Sequence, residues 1–149
     1  MSKLTDLVPA PSNTSVNGAA SPCPTSFLIR KFGLPRKVLG PDCRPATSRE
    51  WGKRLVIESV GPFRVTGHKL AVKLLRASLT ALKAEHPDVY AALGTAGMFC
   101  CRFVRGSKVT PSNHSFGLAI DFTLNGVLDR RGDDYVQRGL LDLYSVMKR

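Results

Sequence analysis

The sequence predicts an α+β fold, a small and mostly antiparallel sheet with helices packed on it. Three observations carry this expectation. Asn125-Gly126, the strongest two-residue hairpin signal, stands between an alternating run from Leu118 to Thr123 and the apolar pair Val127-Leu128. An amphipathic stripe at i, i+3, i+4, i+7, i+8 and i+11 runs through Ala71, Leu74, Leu75, Ser78, Leu79 and Leu82, with Lys69, Lys73, Arg76 and Lys83 mainly away from it. A second stripe, Val136, Leu140, Leu143, Tyr144 and Met147, marks a helix at the end of the chain. With 149 residues and 43% hydrophobic content, there is enough chain for one domain with a sizeable core.

Residues 1–26 are rich in Pro, Ser, Asn, Gly and Ala and read as a flexible tail. Residues 27–60 carry many Gly, Pro and basic residues around two short apolar runs, Phe27-Leu28-Ile29 and Leu55-Val56-Ile57. They read as an irregular basic lead-in that wraps the domain. Trp51, the single tryptophan, reads as a packing anchor in preference to a sugar-stacking platform. Gly61-Pro62 is a turn signal, Phe63-Arg64-Val65 a short strand, and Thr66-Gly67 opens the long helix. Pro87, at a first helical position, begins a second helix, Asp88 to Leu93, closed by Gly94. Met98 to Val104 reads as an apolar strand interrupted by Arg102, whose ordinary reading is an edge charge or a stem that snorkels to water. After the hairpin, Asp129-Arg130-Arg131-Gly132-Asp133-Asp134 reads as a polar turn ending in a helix N-cap. The main domain therefore spans residues 61–149.

The net charge is +11, from 22 Lys and Arg against 11 Asp and Glu. Such a charge favours polyanionic partners: nucleic acid, anionic membrane or bacterial wall polymers. A basic helix with a reading face, a Cys/His finger and an aromatic RNA-binding motif are all missing, so nucleic acid is the weaker choice. No run approaches the length of a membrane span, and the first residues lack the apolar stretch of a signal peptide. The four cysteines form no metal pattern. Cys100 and Cys101 are adjacent and do not suit a mutual bridge. Cys23 and Cys43 are able to bridge in an oxidising compartment, but buried or free thiols are the plainer reading.

The chemistry concentrates in Ser112-Asn113-His114-Ser115-Phe116-Gly117-Leu118-Ala119-Ile120-Asp121-Phe122. From Leu118 the alternation sends Leu118, Ile120 and Phe122 to one face, and Ala119, Asp121 and Thr123 to the other. His114 then lies on the loop entering the strand and Asp121 within it. Gly117 lets the loop fold back so that the two side chains meet. A neutral imidazole nitrogen and a carboxylate oxygen are two good zinc ligands. An isolated His-x6-Asp pair is more often a loop histidine and a hydrogen-bonded carboxylate.

The whole string decides otherwise. Ser112-x-His114-x-x-Gly117-x-Ala119-x-Asp121 resembles the zinc motif of the M15 peptidases, the D-alanyl-D-alanine carboxypeptidase and L-alanyl-D-glutamate endopeptidase family. The VanY-like and phage-endolysin branch is most similar, since an Arg-x-x-Arg-Gly segment precedes the motif there, as Arg102-Phe103-Val104-Arg105-Gly106 does here. The resemblance covers roughly Gly61 to the end and implies a Hedgehog/DD-peptidase-like fold. It implies that His114 and Asp121 bind zinc, and that Arg102, or else Arg105, reaches a substrate carbonyl or carboxylate. Ser112 would support the loop or contact substrate, with an equal reading in which it begins the turn by bonding its own backbone. Gly117 and Ala119 would be structural.

The implied activity is zinc-dependent hydrolysis of peptidoglycan stem-peptide bonds, with anionic wall polymers as further partners. The first residues fit equally a phage lysin made in the host cytoplasm and released to the wall by a holin, and a cytoplasmic protein. Family members hold a third ligand, a histidine on a strand after the last helix, with an acidic general base just before it. No histidine follows His114 here, and His68 and His86 read as surface or capping residues. Three readings follow, in this order: a domain incomplete at its C-terminal side and inactive as it stands, an inactive relative that keeps the fold, or a third donor from elsewhere, such as Cys100, Cys101 or a second chain. The alternatives are a non-catalytic wall-binding module and, less so, a basic nucleic-acid-binding protein. If His114 and Asp121 share one metal, their donor atoms must lie roughly 3–4 Å apart.

Overall fold

A computed structural model of the chain describes residues 3–12, 15, 16, 18, 21 and 23–148. The fold is α+β, and among the described residues it comprises five helices and three small antiparallel sheets where one sheet was expected. The long helix is the scaffold. It spans Lys69–Glu85 (α3, after α1 at Thr25–Phe32 and α2 at Arg49–Gly52) and buries Val72, Leu75, Leu79 and Leu82. Its phase differs from the sequence stripe, because Val72 is inside and Leu74 is 70% exposed. The helix follows directly on buried His68, so the inward positions fall at whole turns from that residue, and the leucine count does not decide them.

The hairpin of β2 (Leu55–Ser59) and β3 (Arg64–His68) turns over Gly61-Pro62, so the turn signal holds but β3 extends through Thr66-Gly67 to His68. Pro87 opens α4 (Pro87–Ala92) as expected, but Gly94 does not close it, because the chain runs straight into β4 (Leu93–Gly97). This strand replaces the one expected over Met98–Val104, which makes only isolated bridges, Arg44 to Cys101 and Phe103 to Pro111. The reason is spatial. A Cβ on Gly94 would lie 2.6 Å from Thr123 Oγ1, so a glycine-bearing segment fits against the strand that carries Thr123 where a bulky one does not.

Strands β5 (Asp121–Leu124) and β6 (Val127–Leu128) form the expected hairpin, with Thr123 opposite Leu128 and Leu124 opposite Val127. Asn125 and Gly126 have φ of 51° and 77°, both in the left-handed region that the tight turn requires. Leu118 lies before the strand and is exposed, so the expected alternation starts too early, while Ile120 and Phe122 do pack on the core.

The N-terminal residues are not all tail. Leu7–Pro9 form β1, paired with β7 (Tyr135–Gln137), and the Leu4 carbonyl accepts from Gly139 N at 2.9 Å. Within the expected tail, residues 1, 2, 13, 14, 17, 19, 20 and 22 lie outside the described residues. The last helix, α5, spans Arg138–Met147 and buries Leu143 and Val146. Val136 therefore sits in β7. Asp134, with a φ of 60°, belongs to the turn and is not the N-cap.

Residues 27–60 do more than wrap. Leu28 of α1 and Trp51 of α2 join Phe116 in a second apolar cluster beside the main core. Trp51 is 1% exposed and its Nε1 donates to the Gly33 carbonyl at 3.1 Å, which makes it a packing anchor. His68 is buried against the same cluster, with its ring 5.8 Å from Phe32 and 6.1 Å from Trp51. Its Nδ1 accepts from Leu70 N at 3.3 Å, capping α3, so the neutral ring carries its proton on Nε2.

Burial, and then the charges of Arg54 and Lys69, hold the His68 pKa below its usual 6.5. The folded state thus resists a proton that the unfolded chain accepts. Stability should be full above about pH 6.5 and fall as pH drops below it, by at most about 1.4 kcal/mol per pH unit from this group. Thermal unfolding across pH 7 to 5 measures the slope. His68→Asn, which keeps a capping acceptor, should flatten it; an unchanged slope would remove His68 as its source.

Candidate functional site

His114 lies on a single 3-10 turn, Asn113–Phe116. Ser112 begins that turn by bonding its own backbone, its Oγ accepting from His114 N at 3.3 Å. Gly117 ends the turn at φ 62° and its carbonyl accepts from His68 N at 3.1 Å. A Cβ there would lie 2.6 Å from His68 N, so the residue is glycine for both conformation and space. Ser115, fully buried, accepts from Arg102 N at 3.0 Å, and its hydroxyl faces the Arg102 and Cys100 carbonyls at 2.9 and 3.2 Å. This side chain straps the turn to the segment that precedes it.

The imidazole is oriented by a single bond. Nδ1 lies 3.0 Å from the Met98 carbonyl, and a carbonyl only accepts, so Nδ1 carries the proton. Nε2 is left facing Asp121 Oδ2 at 3.4 Å, inside the range for two donors sharing an ion. In a neutral ring, Nε2 and a carboxylate oxygen are both acceptors. A proton or a cation between them satisfies both.

Asp121 is aimed by a bulge. The β4–β5 register slips between Thr95 and Gly97, so that Gly97 faces Asp121 and Ala96 is left out of the ladder. Thr95 Oγ1 locks the bulge, donating to the Asp121 carbonyl at 2.9 Å and accepting from Gly97 N at 3.0 Å. The His114 side chain is 14% exposed and that of Asp121 52%.

Both side chains open into a cleft of about 930 Å³, also lined by Arg102, Arg105, Ser112 and Ala119. Six of the seven residues singled out from sequence thus line one cavity, and Gly117 lies behind its wall. Arg102 is not inside a strand. It sits in the irregular stretch after β4, with Nη1 donating to the Phe103 carbonyl at 3.1 Å. Ile120 and Phe122 with Leu140, Leu143, Tyr144 and Met147 of α5 give the cleft an apolar wall.

Neither cysteine suspected as a donor is placed for it. Cys100 is bridged to Cys43, with Cα atoms 5.2 Å apart, and Cys23, the other half of the bridge considered from sequence, is an exposed thiol. Cys101 is fully buried outside the cleft, and burial pushes its thiol up to about 11. Among the described residues no group of three or more His, Cys, Asp and Glu side chains could hold a metal. Among the described residues, His114 and Asp121 are the two side chains that would hold a zinc ion.

Sequence reasoning missed Ser115, the Met98 carbonyl and Thr95. Only Thr95 left a signal, as one of the two residues between Gly94 and Gly97 in a strand, a spacing that suggests a bulge. No family model, no curated protein and no solved structure matches the chain.

Gly117→Ala should destabilise the fold by about 2–4 kcal/mol, combining left-handed strain with the backbone clash. Gly132→Ala has a similar φ, 75°, but open space, and should cost only about 1 kcal/mol. Denaturant unfolding of the two variants compares them, and equal losses would show that the contact with His68 is unimportant.

Proposed function

We propose that this chain holds the metal- and carboxylate-binding cleft of a zinc-dependent peptidase of M15 type directed at peptidoglycan stem peptides, and that with two protein ligands it binds zinc weakly and cleaves nothing. The observation that carries the reading is the pair of facing acceptors, His114 Nε2 and Asp121 Oδ2 at 3.4 Å, with Nδ1 tied to Met98. An imidazole whose far nitrogen donates to a carbonyl is the usual state of a metal-binding histidine.

His114 and Asp121 would hold the ion, which when bound supplies a polarising charge for a peptide carbonyl and for water. The other roles belong to the chain itself. Arg102 offers a planar fork to a carboxylate or a developing oxyanion at the same cleft, with Arg105 beside it as the second cation. The segment that carries Arg102 is immobilised by Ser115 on both its N–H and its carbonyl, so the fork starts from a fixed backbone. The apolar wall from α5 excludes water from one side of a bound peptide. The net charge of +11 suits approach to an anionic wall.

A second reading has one observation in its favour. The lack of a third donor among the described residues suits a non-catalytic module that binds wall peptides through the same cleft without metal.

Zinc titration by calorimetry separates the two. His114→Ala and Asp121→Asn should each weaken zinc binding about tenfold or more. Zinc binding unaffected by either would refute the metal reading and leave the binding module. The zinc-loaded chain, incubated with peptidoglycan fragments, should release no product; chelator-sensitive cleavage would reveal a further donor. Arg102→Lys should leave thermal stability within about 0.5 kcal/mol and weaken capture of a carboxylate-terminated peptide, since Lys lacks the fork. Unchanged capture would pass the role to Arg105.

A further inference from the structure

The cleft has a second cationic point. Arg130 and Arg131 line it from the loop that follows β6, whereas Arg102 and Arg105 reach it from the stretch before the His114 turn. The later pair is not on a loose loop. Asp129 Oδ1 accepts from Gln137 N at 3.2 Å, and Gln137 Nε2 donates to the Val127 carbonyl at 3.3 Å, so one buried glutamine pins both sides of the loop's base. Beyond it, Gly132 and Asp134 take positive φ and Asp133 Oδ1 accepts from Tyr135 N at 3.2 Å. Among the described residues Arg105, Arg130 and Arg131 are in no ion pair. Four guanidinium groups therefore line the cleft against two carboxylates, Asp121 and Asp129.

We propose that Arg130 and Arg131 form a second anion-binding point, so that the cleft takes a short acidic peptide bearing two separate carboxylates and an apolar side chain. One carboxylate meets the Arg102 and Arg105 forks, the other the Arg130 and Arg131 forks. The apolar side chain lies on the wall made by Ile120, Phe122, Leu140 and Tyr144. The mixed charge argues for a peptide over a nucleic acid. A continuous phosphate chain would run past Asp121 and Asp129 and be repelled by both, whereas a peptide presents its charges at discrete points.

This inference deepens the function proposed above, because it names what the same cleft accepts, yet it does not need the metal. It is therefore tested on the full chain with chelator present, by calorimetry and NMR shift titration. Three probes are compared: acetyl-Glu-Leu-Ala with a free C-terminus, its C-terminal amide, and its Gln analogue. The dicarboxylate should bind about tenfold tighter than either singly charged peptide. The double variant Arg130→Ala, Arg131→Ala replaces two exposed residues and should keep its melting temperature. It should lose one of the two preferences, acid over amide or Glu over Gln, and retain the other, with zinc titration unchanged. The proposal is overturned if the variant keeps both preferences, if it weakens all three peptides equally, or if the unaltered chain shows no shift at millimolar peptide. It is also overturned if a single-stranded thymidine oligonucleotide binds more tightly than the dicarboxylate and the variant abolishes that binding. Failure here, with zinc still bound by His114 and Asp121, leaves the metal reading standing; loss of zinc binding alone leaves the peptide reading standing.

Discussion

The bond from His114 Nδ1 to the Met98 carbonyl is the constraint on which the site depends. It settles which nitrogen carries the proton, and so turns Nε2 into an acceptor aimed at another acceptor. Met98 is able to hold that carbonyl because its own side chain is buried, packed where a Cβ on Gly67 would stand. The same short region of β3 receives the Gly117 turn through His68 N. Two glycines, Gly67 and Gly117, thus admit the two segments that must meet at His114, and bulk at either would push the imidazole off its partner.

The stretch from Met98 to Arg102 has no continuous ladder, yet it is held by two neighbouring segments. Cys101 exchanges two backbone bonds with Arg44, and Cys100 is bridged to Cys43. Cys100 N donates to the His114 carbonyl, and Ser115 fastens Arg102. Irregular backbone between a strand and a functional turn leaves N–H and carbonyl groups without ladder partners, and burying them is costly unless each is met. Here side chains and single bridges meet them. The reward is freedom of direction: a regular strand would alternate Arg102 with its neighbours at fixed faces, while this segment, tied to the His114 turn, sends Arg102 into the cleft that His114 also lines.

What was legible in the sequence was local. Asn125-Gly126 specifies its own turn, Pro87 its own helix start, and Ser112 through Gly117 its own turn, because each depends on conformational preferences of adjacent residues. What was not legible depended on distant partners. Leu7–Pro9 has little strand character and is a strand because Tyr135–Gln137 offers an edge. Leu93–Gly97, with two glycines, reads poorly as β and is a strand because Thr123 leaves room for nothing larger than Gly94. The phase of α3 was set by His68 in the preceding strand, which overrode the pull of Leu74. The pairing of Cys43 with Cys100 brings together residues with a sequence separation of 57 and had no local signature at all.

The difference in exposure between His114 and Asp121 bears on how the pair is used. The half-exposed carboxylate of Asp121 keeps much of its hydration. The imidazole, 14% exposed, is anchored in the wall behind it. A cation entering the cleft would meet the exposed Asp121 before the more buried Nε2. A surface of net charge +11 would repel such a cation, were the charge spread evenly. Asp121 and Asp129 are what offset it locally, while the four arginines along the same cleft favour an anionic partner. Positive and negative groups in one cleft suit a ligand with separated charges, and a uniformly charged polymer would satisfy only half of them.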